Sequence, residues 1–464
     1  MSENSPSRNT SQEAESKKQS QTGPAEFEYE DSESGSPESA ETAEQSSYSE
    51  SLNVLVLATT FPRWEDDSIP HFVKDLSEEF QQHKMDVTVL APHDQGAKRQ
   101  ESMDGLTVHR YPYFFPSRFQ KLVFEGGVLP TVKKSPLALF QIPFFMISLL
   151  MSTAWLLRKK DIDVIHSHWV VPNGLVASLL APVFGVRHVM TLHAGGVLGL
   201  QNVPANSRLA DFIYRRSDAI LPVSTHIRDS FTDILTIDTL SDEKFRIHPM
   251  GAHTSDFDTD SKLEVRKERD VGDNVVGLYV GRLAEKKGLK YLLDALDDTS
   301  DRHEDFQLSI VGRGTMKEEL HSYAEQKGLE DAVEFTGWVS EEELHDRYIM
   351  ADFVIVPSIE TESGDTEGMP TVISEAFASA NPVIGTNVGG IPDVIENKVN
   401  GYVVEQRQPN QLSEKMETLI EDAQLREELS EGAIKTAERL DWGRCGEVYT
   451  ETIRDAYNGT IEEE

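Results

Sequence analysis

Short apolar runs of strand length alternate with helix-period segments along most of this chain, and that alternation restricts the fold more than any other feature. The first run, "NVLVLATT" (Asn53–Thr60), is followed by "DVTVLAP", "DVIHSHW", "HVMTLHA" and "AILPVS". A second set reads "VVGLYVGR", "FQLSIVGRG", "VEFTGW", "DFVIVPS" and "PVIGT". Helical patterns such as "KKGLKYLLDALDD" and "TMKEELHSYAEQKGL" lie between them. Strands that are apolar throughout must be covered on both faces, and strands separated by helices pair in parallel. Two such blocks predict an α/β chain of two doubly wound, Rossmann-like domains with a central cleft. The expected domains are 51–250 and 251–438, parted near "IHPMGAHTSDF" (Ile247–Phe257), followed by helices over 439–464. Ligands of such sheets sit at the carboxyl ends of the strands, here the cleft.

Residues 1–50 are rich in Ser, Glu, Gln and Pro and cannot bury enough apolar surface to offset the entropy of ordering, so this segment is expected to be disordered. Charge narrows the function. Asp and Glu outnumber Lys and Arg by 80 to 44, a net charge of −36, and the first 50 residues account for only −9 of it. Nucleic acid is excluded as a main partner, because phosphate binding needs basic stripes. Acidity spread through the folded part suits a protein kept soluble at high ionic strength, which predicts a halophilic source. Cys445 is the single cysteine, so neither a disulfide framework nor a cysteine metal site is expected. No basic region followed by an apolar stretch opens the chain, and a cytoplasmic location is expected.

Ser135–Leu157, "SPLALFQIPFFMISLLMSTAWLL", is uncharged and long enough to span a bilayer. Strands of one sheet precede and follow it, which argues against a span, and Pro136 and Pro143 are expected to break it. The favoured reading is a buried helix of the first domain. The sharper reading is a helix whose apolar face meets a membrane surface or a lipid substrate.

The stretch "ETESGDTEGMPTVISEAFASANPVIGTNVGG" (Glu360–Gly390) carries the densest chemistry. "PTVISEAFASA" has helical periodicity, and Pro370 suits a helix start because its missing N–H is not needed there. Glu367 then stands in the loop before the helix and Glu375 in its second turn. Free N–H groups at the helix N-terminus suit a phosphate, and Gly368 permits close backbone approach. Carboxylates at the margins of such a cradle suit sugar hydroxyls. In "VGRLAEKKGLKYLL", Arg282 and Lys287 follow a strand and can balance a diphosphate. "VGRGTMKEEL" adds Gly312 and Gly314, for a close ligand approach or a tight turn. His166 and His168 alternate on a strand, and one of them is expected in the core. Gly389-Gly390 reads as a turn that Asp393 supports.

These segments, with "FTGWVSEEEL" and "EGMPTVISEAFASANPVIGTNVGGIPDVIENKVNGYVV", resemble the second domain of the retaining glycosyltransferases of family 4, which have the GT-B fold. The E-x7-E pair, Glu367 and Glu375, matches that family's signature, and the likeness runs from about residue 53 to the end. It implies that Arg282 and Lys287 bind the donor diphosphate, with Gly281, Gly312 and the backbone from Gly368 through Met369 and Pro370 to Thr371 around it. By the same resemblance Glu375 holds the ribose hydroxyls, Glu367 faces the transferred sugar, and Trp338–Val339 lie beside the base. No metal and no cofactor are implied; the partners are a nucleotide sugar and a glycan or lipid-linked acceptor. In the first domain "DVIHSHWVVPNG" and "TLHAGG" resemble cleft-lining segments, placing His193 near the sugar or acceptor as a catalytic candidate with Glu367. The family often has Gly and then Asp after that histidine, where this chain has Ala194, Gly195 and Gly196. "TTFPRWEDDSIPHFVKDL" likewise replaces the usual first-loop glycines by Ser68, Ile69 and Pro70, so that loop is left unassigned. "LDWGRCGEVYTETIRDAY" resembles the terminal helices that return to the first domain. The implied activity is sugar transfer from a nucleotide-diphosphate sugar; an epimerase of the same architecture or a non-catalytic nucleotide-sugar-binding scaffold are the alternatives.

Overall fold

The computed structural model describes residues 51–461, apart from residues 65, 66, 68, 121, 124–135, 202, 238 and 301. The tail of residues 1–50, expected to be disordered, lies outside the described residues, as does Ser68 of the unassigned first loop.

The first domain is built on β1 (Leu52–Leu57), β2 (Met85–Pro92), β3 (Gln100–Met103), β4 (Leu106–Tyr111), β5 (Val164–His168), β6 (Arg187–Leu192) and β7 (Ala219–Pro222). Their order is β3-β4-β2-β1-β5-β6-β7, parallel except for the antiparallel edge pair β3/β4. The second sheet comprises β8 (Val275–Val280), β9 (Phe306–Val311), β10 (Val333–Gly337), β11 (Phe353–Val356), β12 (Val383–Thr386) and β13 (Gly401–Val404), in the order β10-β9-β8-β11-β12-β13, parallel throughout. The apolar runs explain the strands: Val54, Val56, Leu278 and Val354 are wholly buried. Each such side chain contributes roughly 1.5–3 kcal/mol relative to exposure. The two-sheet expectation is met. The sequence reading passed over β3, which is polar, β4, whose run is interrupted by Thr107, His109 and Arg110, and the four-residue β13.

Strand order fixes where a ligand can go. In each sheet the chain leaves the first strand in one direction and later returns to its other side, so crevices open at β1/β5 and at β8/β11. Loops diverge there at the carboxyl ends, leaving room for a ligand.

Six helices frame these crevices and the surface beside them: α1 (Phe72–Gln82), α2 (Pro136–Lys159), α3 (Ala194–Gln201), α4 (Thr225–Thr232), α5 (Thr371–Ala378) and α6 (Trp442–Asn458). The last of these packs on α1 and β6 of the first domain. Tyr449 on α6 donates to the His248 carbonyl (3.2 Å), and Arg246 pairs with Asp455 at 2.6 Å. Both bonds tie the connection between the domains to that helix.

Two expectations for the apolar stretch are corrected. Its prolines do not break it: α2 is continuous over 24 residues with Pro143 inside. A lost N–H costs little in a helix held along its length by tertiary contacts, including Gln141 Nε2 to the Phe119 carbonyl (2.8 Å) and Ser148 Oγ to the Pro112 carbonyl (2.7 Å). Nor is it a buried helix, because only one side, with Phe145, Leu149 and Leu156, enters the core.

Candidate functional site

The β8/β11 crevice gathers the charged residues that the sequence singled out. After β8 the chain makes a tight turn through Gly281 and Arg282 into a 3-10 turn, Glu285–Lys287, that Gly288 ends with φ +66. Gly288 leaves no room for a side chain, since a Cβ would stand 1.8 Å from the Pro357 carbonyl oxygen. This contact locks the β8 loop to the β11 loop and points Lys287 at Glu367. The distance from Lys287 Nζ to Glu367 Oε1 is 3.2 Å, and Lys286 Nζ is 3.8 Å away. Lys286 also donates to the Thr366 carbonyl at 2.9 Å. Burial pushes the Glu367 carboxyl up, but Lys287 and then Lys286 outweigh it, and the group is held below the usual glutamate range. It is therefore an anion at neutral pH, buried beside two cations. Arg282 is exposed at the mouth of the same loop.

Helix α5 follows directly. Pro370 is its N-cap with extended backbone, and Thr371 is its first residue, so the start falls one position later than expected. The amides of its first turn receive no side-chain cap, and Glu367 stands three residues before the Pro370 N-cap. Glu375, one turn on, accepts a hydrogen bond from the Tyr348 hydroxyl at 2.6 Å. Burial raises the Glu375 carboxyl, and the Tyr348 bond opposes that only in part. Tyr348 is wholly buried and fixes this carboxylate.

The glycines of this region act mostly between backbones. A Cβ on Gly312 would meet the Gly281 carbonyl oxygen at 1.8 Å, and one on Gly314 the Leu283 carbonyl oxygen at 2.1 Å. They draw the β9 loop onto the β8 loop, a backbone-to-backbone approach that the sequence reading, which offered a ligand approach or a tight turn, did not include. Gly389 and Gly390 turn under the site: Gly390 N donates to the Gly368 carbonyl at 2.7 Å. Val339 packs partly buried against the main core, next to exposed Trp338 at the end of β10.

The first domain presents His193, immediately after β6, whose carbonyl accepts from the first amides of α3. Its ring lies against Trp169 and Phe72, with centroids 4.9 Å and 5.2 Å away. Behind it, His168 Nδ1 is 3.0 Å from His193 Nε2, so one of the two nitrogens carries a shared proton. Burial holds His193 down to about 3 and His168 well below the usual histidine range, and both are neutral. His166, bonded to Thr191 at 2.8 Å, is equally buried; the expectation of one core histidine becomes two, of which His168 also touches the site.

The domains meet at this point. A Cβ on Gly368 would lie 3.2 Å from the Ala194 Cβ, next to His193. Asp393 Oδ2 accepts from the Thr225 amide at 2.6 Å, at the start of α4. Asp393 thus reaches across to the first domain in addition to standing beside its own turn. Ser374 Oγ donates to the Met250 carbonyl at 3.1 Å. Glu367, Gly368, Lys287 and His193 therefore share one region, while Arg282 is exposed on the β8 loop and Trp338 is exposed after the edge strand β10. Sequence reading missed Lys286, Tyr348 and His168 as parts of the site. Tyr348 left one signal, a phenol on the core face of a helix, whose hydroxyl must find a partner when buried.

Comparison with known proteins shows the family and the fold. Residues 260–436 match the family described as glycosyl transferases group 1, and residues 69–239 match the glycosyl transferase 4-like domain. Together the matches span about three quarters of the chain. An uncharacterized glycosyltransferase of Methanocaldococcus jannaschii is 28% identical over 292 residues, covering 62% of this chain and 74% of that protein. The GDP-mannose-dependent alpha-(1-6)-phosphatidylinositol monomannoside mannosyltransferase of Mycobacterium tuberculosis is 28% identical over 270 residues, 58% of this chain and 69% of its own. Among solved structures, sucrose-phosphate synthase from Thermosynechococcus elongatus superposes with a TM-score of 0.71 at 19% identity, over 88% of this chain and all of that one. At that identity the likeness shows the fold, two facing parallel-sheet domains of the GT-B type.

Proposed function

Because this chain belongs to the group 1 glycosyltransferases, with a glycosyl transferase 4-like first domain, we propose that it moves a hexose from a UDP- or GDP-linked sugar to a glycan or lipid-linked acceptor, with retention of configuration. The observation that carries this reading is the Lys287–Glu367 pair beneath the N-terminus of α5, at the strand-order crevice of the second domain.

In this reading the donor diphosphate lies at the start of α5, facing Lys287 and Arg282, and these cations with the helix end balance its charge without a metal. Gly281, Gly312 and the backbone from Gly368 to Thr371 line the phosphates. The base lies beside Val339. Glu375, held by Tyr348, receives the ribose hydroxyls. Lys287, now paired with Glu367, turns to the phosphate when the donor arrives, and the freed carboxylate faces the sugar ring. As the bond between the anomeric carbon and the phosphate oxygen breaks, positive charge grows on the ring and Glu367 stabilises it. The acceptor hydroxyl attacks from the face that the phosphate leaves, and its proton passes to the departing phosphate oxygen. That transfer needs no separate base, in keeping with a neutral His193 that orients rather than accepts a proton. We place the enzyme in the cytoplasm at the inner face of a membrane, adapted to high salt; the name of one relative, a phosphatidylinositol monomannoside mannosyltransferase, supports a lipid acceptor.

The test is transfer from UDP- and GDP-hexoses to a prenyl-phosphate or glycolipid acceptor, with the anomeric configuration of the product read by NMR. An α-linked product from an α-linked donor supports the reading. Turnover of donor without acceptor into a second nucleotide sugar would assign an epimerase. Binding with no turnover under any acceptor would assign a scaffold.

A further inference from the structure

The outer side of α2 is built, exposed and unused by the transfer chemistry. Phe140, Phe144, Ile147, Met151 and Trp155 recur at spacings of three and four residues, and each is between 44% and 66% exposed. A helix on a domain surface ordinarily turns polar groups outward; here the outward groups are aromatic and aliphatic. Phe114 joins the stripe, its ring centroid 5.8 Å from that of Phe144. Exposed Leu179 and Val183 of the neighbouring helix Leu175–Phe184 extend it sideways.

Charge separates the possible occupants. The sequence has no Asp or Glu from residue 126 to residue 160, in a chain where acids outnumber bases by 80 to 44. Arg158, Lys159 and Lys160 follow the stripe directly. An apolar face that ends in cations, on a protein otherwise strongly acidic, is complementary to anionic lipid. A span is excluded by the inner side, where Phe145 and Leu149 are buried in the domain and β4 and β5 flank α2 in one sheet.

Direction follows from topology. β4 ends at the carboxyl edge of the sheet, and α2 returns the chain to the start of β5. Its first turns, with Phe140 and Phe144, therefore stand on the cleft side, and Arg158 to Lys160 on the far side. We propose that this face seats the enzyme on an anionic bilayer, with the stripe in the acyl boundary and the aromatic end directing the cleft mouth toward the lipid surface. The seating stands on the surface alone; its service to a lipid-linked acceptor rests on the function proposed above.

The experiment is co-sedimentation of the full chain with vesicles of phosphatidylglycerol or of phosphatidylcholine, at ionic strengths where near-UV circular dichroism shows it folded. The variants are Ile147→Glu with Met151→Glu, and Arg158→Glu with Lys159→Glu, all at exposed positions. Binding to phosphatidylglycerol is expected, weaker to phosphatidylcholine. The apolar pair of substitutions should lower it roughly a hundredfold and the basic pair several-fold, the latter difference fading with salt. Nucleoside diphosphate release to a soluble acceptor should be unchanged in both variants, which separates loss of seating from loss of the site. A wild-type chain that ignores phosphatidylglycerol, or variants that bind it as well, would overturn the proposal. So would a dimer in sedimentation velocity that only the apolar pair dissociates, which would give the face to a second copy.

Discussion

The two domains share a construction and differ in how they hold their chemistry. In the second, Arg282, Lys287, Glu367 and Glu375 all stand on two loops and one short helix around the β8/β11 crevice, held in place by backbone contacts at Gly288 and Gly312. In the first, the groups facing the cleft are a neutral histidine pair packed among Phe72 and Trp169, and the outermost feature is the apolar side of α2. A diphosphate presents the same charge and geometry in every donor, so the loops that meet it need charged groups at set positions. An acceptor varies, and its side can be shaped by packing. Motif-dense and packing-dense halves are what that division of labour produces.

The largest effect that would sharpen the contrast is at Glu367. Glu367→Ala should lower kcat by about 10²–10³-fold with donor affinity little changed, because a charge placed where the transition state develops positive character is lost. Steady-state kinetics with separate donor titration checks it; an unchanged kcat would remove the carboxylate from the reaction. Next, Lys287→Ala should weaken nucleoside diphosphate binding by roughly ten- to a hundredfold, and Arg282→Ala by less, since Arg282 is exposed. Calorimetry measures both, and equal losses would contradict the enclosed placement of Lys287.

Acid should act mainly on the first domain. His166 and His193 are held near 3 when folded, against about 6.5 when unfolded, and His168 moves the same way. The unfolded chain then binds more protons between those values. The stabilisation is complete above about pH 6.5 and falls as pH drops toward 3, by up to about 1.4 kcal/mol per unit for each histidine. Denaturant melts from pH 7 to pH 4.5 should show this slope, and His166→Gln should flatten it. A wild-type chain equally stable at both ends would show that these rings are not held neutral. Smallest is Tyr348→Phe, which removes the hydroxyl from Glu375 and should raise donor KM a few-fold, roughly 1 kcal/mol, at unchanged kcat. A fall in kcat instead would place Glu375 in the chemistry rather than in ribose binding.

How much of this was legible in the sequence tracks the same division. Apolar runs disclosed both sheets, because a parallel strand must be covered on both faces. The Glu367–Glu375 spacing was readable because a loop glutamate, a proline cap and a short helix are all local. Tyr348 and His168 were not, since their partners, Glu375 and His193, are 27 and 25 residues away and meet them only through the packing of the sheets. The continuity of α2 was misjudged for a related reason: Pro143 is tolerated by contacts from Pro112 and Phe119, which a local reading does not see. Asp393 was read as support for its own turn, yet it also bonds the Thr225 amide 168 residues away.

The central claim is that a nucleoside diphosphate binds where Lys287 now pairs with Glu367. Its most direct measurement is calorimetric titration of UDP, GDP and ADP into the wild-type chain and into Lys287→Ala, in high salt. The account predicts that one nucleotide binds the wild type and that the variant loses at least tenfold in affinity while keeping its fold. Equal binding by the two proteins, or no nucleotide bound by the wild type, would contradict it.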